Sequence, residues 1–194
     1  MATYIIADTL FFDNEQREKM GFNDFASMNK AIIKNWNSTV KKEDDVIFMG
    51  KLIGDGGETT DIKNLFHDLN GTFTCISKDK NMRFTKEEWK DIGFRFFWNV
   101  PMFNEINDKE VCYQIRPIIN VAPYFQEYSV VVVDSDNPIE GMVKEIFLSV
   151  DALKWNYYPI KTDDIIEIHD RMIEFEKMEI GEEKRTDIKE EGED

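Results

Sequence analysis

Histidine and cysteine are scarce in this chain of 194 residues and basic side chains are outnumbered by acidic ones, and each of these features excludes a class of function. The two cysteines, Cys75 and Cys112, each sit inside an apolar run of strand type. A disulfide scaffold or a thiolate zinc site needs more cysteines at tighter spacing, so two buried, reduced thiols are expected. The two histidines, His67 and His169, fall on expected helices and read as surface residues, which leaves too few imidazoles for a histidine-rich metal centre. Lys and Arg number 24 against 39 Asp and Glu, a net charge of −15. Such a surface repels phosphate backbones and anionic bilayers, so neither direct nucleic-acid binding nor membrane association is expected. It favours solubility, and it suits a basic protein partner. No apolar run approaches transmembrane length, and Met1 to Ile6 lack the basic region of a signal peptide; a cytoplasmic location is expected.

What is present is enough to build a core. Apolar residues make up 42% of the chain, which fits one domain over residues 1–178 followed by an acidic, disordered tail over 179–194. Tyr4-Ile5-Ile6-Ala7 reads as a short buried strand ending at Asp8. Phe25, Met28, Ile32 and Trp36 recur at helical spacing and predict a helix from Asp24. Asp45–Met49 is a second strand, closed by Gly50, and Gly54, Gly56 and Gly57 mark a loop. Ile62, Leu65, Phe66 and Leu69 predict a second helix with Asn70-Gly71 as its C-cap. Thr72–Ile76 is a third strand. The order is β-α-β-α-β, so a parallel sheet with right-handed crossovers is expected. Thr85-Lys86-Glu87-Glu88 has the form of a capping box. Apolar runs at Phe94–Val100, Val111–Ile115, Tyr128–Val133 and Ile146–Val150 predict a second, more antiparallel set of strands. Ile165, Ile168, Met172 and Phe175 predict a closing helix. The aromatic run Phe94, Phe96, Phe97 and Trp98, with Phe103 beyond it, reads as core beneath that second sheet.

In open α/β sheets, ligands collect at the carboxyl ends of the strands. Here those ends carry Asp8-Thr9-Leu10, Gly50-Lys51 and Ser77-Lys78-Asp79-Lys80. A carboxylate on the first tip suits a metal or a phosphate site. The lysines on the next two tips oppose a metal cation but suit a carboxylate or a phosphate.

Several of these segments resemble, in order, the calcineurin-like metallophosphoesterases. Tyr4–Phe12 is similar to their opening strand, which carries Asp-x-His, and Asn29–Val40 (NKAIIKNWNSTV) resembles the helix that a bacterial and phage branch places next. Asp44–Gly50 is similar to the approach to a Gly-Asp motif. Leu69-Asn70-Gly71 and the strand after it match the approach to Gly-Asn-His-Asp. Val150–Ile160 (VDALKWNYYPI) resembles the branch's C-terminal signature. The resemblance covers about residues 3–175 and implies an α/β fold of calcineurin-like phosphoesterase type, a two-sheet sandwich flanked by helices. It also implies two metal ions that polarise a phosphoryl group and activate water.

The ligand positions that the resemblance implies are largely altered. Asp8 remains, but the histidine position is Leu10 and the bridging aspartate falls on Lys51. The asparagine and histidine of the third motif fall on Lys78 and Asp79, and the Gly-His-x-His segment aligns with Val133-Asp134-Ser135-Asp136. The expected function is therefore a catalytically inactive, metallophosphoesterase-like binding or regulatory module with no cofactor and a protein partner of basic character. A contact between Lys51 and Asp8 would satisfy the orphaned carboxylate, and Lys51, Lys78 and Lys80 are candidate phosphate contacts. Two alternatives remain open at this point. One is a divergent phosphoesterase with a carboxylate-only Mg²⁺ or Mn²⁺ site built from Asp8, Asp79, Asp134 and Asp136. The other is an acidic nucleic-acid mimic.

Overall fold

The first strands bury alternate side chains on two opposite faces, and this decides the architecture. The structure is a computed structural model that describes residues 1–77, 84–98, 102–106, 109–114, 130–133, 147–175 and 178. In β1 (Thr3–Ala7), Tyr4 and Ile6 enter one hydrophobic core while Ile5 and Ala7 enter another. In β2 (Asp45–Met49), Val46 and Phe48 face the first core, and Ile47 and Met49 the second. Successive strand side chains point to opposite faces, so a strand covered on both sides must be apolar throughout.

The first core is built by helices. Asp13 caps α1 (Asn14–Lys19) by accepting from the Gln16 amide at 2.9 Å. Asp24 does the same for α2 (Phe25–Thr39), accepting from the Ser27 amide at 2.7 Å, and α2 buries Met28, Ile32 and Trp36. The third helix, α3 (Thr59–Asp68), buries Ile62, Leu65 and Phe66. In α4 (Lys86–Asp91) the capping box is present: the Glu88 amide donates to Thr85 Oγ1, and the Thr85 amide donates to Glu88 Oε2. Between these helices and the sheet lies an aromatic cluster. Phe66 meets Phe11 at 5.4 Å, Trp89 at 5.7 Å and Phe94 at 4.9 Å between ring centroids. Trp36 stacks on Phe48 at 5.3 Å and donates its indole N–H to the Asn70 carbonyl at 2.9 Å.

The main sheet has the order β4-β3-β2-β1-β9, with β3 at Thr72–Ser77, β4 at Phe94–Trp98 and β9 at Ile160–Lys161. Strands β1 to β4 are parallel, and β9 pairs antiparallel to β1. A second sheet has the order β5-β6-β7-β8, from β5 (Met102–Ile106), β6 (Lys109–Gln114), β7 (Val130–Val133) and β8 (Phe147–Ser149). The second core joins the two sheets. Val111 of β6, Leu148 of β8 and Val150 meet Ile5 and Ile47 there, together with Ile165 and Ile166 of the closing helix α5 (165–175). The chain is a mixed α/β protein, as its pattern predicts.

Several expectations are corrected. The run beginning at Phe94 is not part of the second sheet: β4 extends the first sheet beside β3, and Phe94 is buried in the first core. The second sheet is antiparallel only at β5–β6; β6–β7 and β7–β8 are parallel. Asn70-Gly71 is not the cap of α3. Leu69 leaves that helix with φ −80°, and Gly71 takes φ 113° in the turn into β3 instead. His67 is exposed as expected, but His169 is buried, because α5 turns it to the same side as Ile165 and Ile166. Cys75 is buried, with its thiol pKa pushed up by desolvation. The side chains of Cys112, Phe96, Phe97, Trp98 and Phe103, and the whole tail 179–194, lie outside the described residues. Among the described residues, no helix is long and apolar enough to cross a membrane.

Because Phe66 touches helix and sheet aromatics together, Phe66→Ala should cost about 3–5 kcal/mol. That is a large share of a typical folding free energy. Urea denaturation should show a lower midpoint at unchanged slope; a loss below about 1 kcal/mol would mean that this cluster does not organise the core.

Candidate functional site

Four parallel strands deliver their carboxyl ends to one edge of the main sheet, and the first two bring Asp8, Leu10 and Lys51 there. Asp8 and Leu10 are half-buried and Lys51 is exposed. The backbone at the β1 tip is unusual. Asp8, Leu10 and Phe12 adopt left-handed conformations, with φ of 44°, 45° and 63°. Such a backbone costs an L-residue about 1–2 kcal/mol, least for Asp, and residues held this way cluster at functional sites.

The strain persists because every turn of this segment is tied down. The Asp8 amide donates to Met49 O at 3.0 Å, the Leu10 amide to Lys51 O at 3.3 Å, and the Phe11 amide to Leu52 O at 2.8 Å. In return, the Gly54 and Gly56 amides donate to Phe11 O and Phe12 O, each at 2.8 Å. A Cβ at Gly54 would overlap the Asp13 backbone, so only glycine permits this approach. The buried Thr9 hydroxyl donates to Leu52 O at 3.0 Å. Behind the tip, the buried Tyr157 hydroxyl donates to Thr9 O at 2.7 Å and accepts from Gln16 Nε2 at 3.1 Å. Tyr157 is itself left-handed, with φ 59°.

The expected contact between Asp8 and Lys51 takes a different form from the side-chain pair. Asp8 Oδ1 accepts the Lys51 backbone amide at 2.7 Å. Asp151 comes beside the same tip through its bridge to Ala7, and its Oδ1 accepts the amides of Leu153 and Lys154 at 2.8 and 3.3 Å. Lys78, Asp79, Lys80, Asp134 and Asp136 lie outside the described residues; β3 ends at Ser77, on the edge that carries Asp8 and Lys51. Among the described residues, no three His, Cys, Asp or Glu side chains converge as a metal site. At the three described positions that the resemblance aligns with metal ligands, the side chains are one carboxylate, one hydrocarbon and one ammonium, and of these the carboxylate alone suits a divalent cation.

Gln16 and Tyr157 were not singled out from the sequence. Gln16 donates to the Tyr157 hydroxyl and Tyr157 to the Thr9 carbonyl, partners 141 and 148 residues away along the chain, and no local pattern announces such bonds. The only sequence signal was the position of Tyr157 inside the VDALKWNYYPI segment.

No protein-family model matches the chain. A stretch of 75 residues is 35% identical to an uncharacterised protein of Methanocaldococcus jannaschii, covering 38% of this chain and 43% of that protein, so the match spans less than half of the relative. Among solved structures, a protein of unknown function from Aquifex aeolicus is similar, with a TM-score of 0.63 at 17% identity over 86% of this chain and 98% of that one. That likeness shows a shared fold. A novel archaeal phosphodiesterase aligns with a TM-score of 0.42 at 18% identity over 78% of this chain and 82% of its own, too loosely to carry an argument.

Tyr157→Phe should cost about 1–3 kcal/mol, since the buried Thr9 carbonyl loses its donor. Burial also raises the Tyr157 hydroxyl pKa above its ordinary 10.0, with the Gln16 hydrogen bond opposing. Neutral Tyr157 therefore supports the fold fully below about pH 10, and the support is lost as pH rises past it, because the unfolded chain gives up a proton that the folded chain keeps. Urea midpoints should fall from about pH 9 to about pH 11, less steeply in Tyr157→Phe. Equal slopes in both proteins would show that Tyr157 is not the group responsible.

Proposed function

We propose that this chain is a calcineurin-like metallophosphoesterase scaffold that has lost its metal chemistry and acts as a binding or regulatory module. One observation carries the reading: the β1 tip keeps a strained, fully tied backbone of the kind found at active sites, yet presents almost no ligands for a metal. Leu10 offers no donor atom. Lys51 places a positive charge where two dications would otherwise meet, and at a few ångströms that repulsion is severe unless water screens it. Asp8, the one ligand-type side chain of the three, has an oxygen engaged by the Lys51 amide at 2.7 Å.

The retained edge suits recognition. The exposed Lys51 offers a charge-assisted contact to a phosphorylated or carboxylate ligand, and Lys78 and Lys80 follow β3 in the sequence. In this reading a ligand is held at the edge and released uncleaved. The net charge of −15 favours a basic protein as the physiological partner and speeds its encounter.

The deciding measurement is metal content of protein purified without chelator, alongside Mn²⁺-dependent turnover of an aryl phosphodiester. The expected result is near-zero metal and no turnover. About two metals per chain, or hydrolysis abolished by Asp8→Ala, would replace this proposal with a carboxylate-only site drawing on Asp8, Asp79, Asp134 and Asp136.

A further inference from the structure

Helices α2 and α3 leave an open groove of about 300 Å³ between them, on the face of the sheet that carries the first core. Its floor is apolar, made by Phe12, Phe25, Ile33 and Leu65. Its rim on the α3 side carries Asp61 and Asp68. These two carboxylates are two helical turns apart, so they share one face at a separation of about 10 Å along the helix axis. Both are exposed, and neither has an ion-pair partner among the described residues. On the α2 wall, Asn29 Oδ1 is buried without a hydrogen-bond donor, although unmet buried acceptors are costly. Lys30 and Lys34 are exposed on α2 but do not line the groove.

We infer that this groove docks a helical segment of a basic partner protein, with two cationic side chains seven residues apart set against Asp61 and Asp68 and an apolar side chain between them on the floor. An amphipathic helix lying in a groove anchors through residues at i, i+3 or i+4, and i+7, and this is the spacing of the two carboxylates about the apolar floor. A second copy of the chain is disfavoured as occupant, since each copy carries −15. The inference rests on the reading of the chain as a binding module, and it names the surface and the kind of partner.

The test uses a labelled helical peptide with two arginines seven residues apart and leucines between them, titrated against the full chain by fluorescence anisotropy at low ionic strength. Saturable binding is expected. Asp61→Asn with Asp68→Asn should weaken it at least about tenfold, which is about 1.4 kcal/mol, and the same peptide with glutamates for arginines should not bind. Both substitutions are on exposed positions, and the variant's unfolding midpoint checks that it is folded. Equal binding to the double variant overturns the inference, as does binding of the glutamate peptide. Displacement of the peptide by n-hexylammonium at comparable affinity would assign the groove to a small cation instead. A concentration-dependent dimer that the peptide fails to dissociate would assign it to a second copy; either result also overturns the inference. The two proposals fail separately. Metal-dependent turnover with intact peptide binding removes only the pseudoenzyme reading, and a metal-free, inert chain that ignores the peptide removes only the groove.

Discussion

The backbone ladder that continues beyond the end of β1 is the constraint on which the rest of the structure depends. At Ala7, the strand is bonded on one side to the segment 150–152, with 2.8 Å bonds to Val150 O and from the Ala152 amide, and is paired with Met49 on the other. The bonding does not stop there. It follows the chain through Asp8, Leu10, Phe11 and Phe12 against residues 49–56. Three left-handed residues in five are tolerated because each has its amide or carbonyl engaged in this ladder or next to it. The backbone of this part of the edge is consequently fixed from both sides.

Rigidity of this kind is useful with or without catalysis. Preorganised groups bind with less loss of entropy, whether the bound species is a metal, a phosphate or a protein. In this chain the same frame presents a hydrocarbon, Leu10, and an exposed ammonium, Lys51, beside the Asp8 carboxylate. The aromatic cluster about Phe66 serves a second purpose: it locks α3 against the sheet, and with it the separation of α3 from α2. The groove between those helices is therefore a property of the core, and its acidic rim is a property of the outer face of α3.

Residues with strong local signals were legible in the sequence. The period-2 and near-continuous apolar runs of β1, β2 and β3, the helical stripe of α2 and the capping box of α4 all describe elements whose stabilising contacts repeat at short range. Weaker patterns were missed for physical reasons. Helix α1 (NEQREK) has no apolar stripe, and its start depends on the single Asp13 cap. Strand β9 has two residues and exists because β1 offers an edge. The partner of β4 was misread because an apolar run does not say which sheet will receive it. His169 was misread because a lone histidine on a helix carries no mark of which side faces in.

At the candidate site the division is similar. By itself, the amino-acid sequence determined that residues 8, 10 and 51 would sit at strand ends and that two of them could not hold a metal, because side-chain chemistry does not depend on the fold. Tertiary structure alone decided that the Asp8 carboxylate is met by the Lys51 amide, that Tyr157 holds the Thr9 carbonyl from 148 residues away, and that Asp61 and Asp68 border an apolar groove. Each of these joins groups distant in the chain, and such pairings follow from how the core closes, which no local pattern encodes.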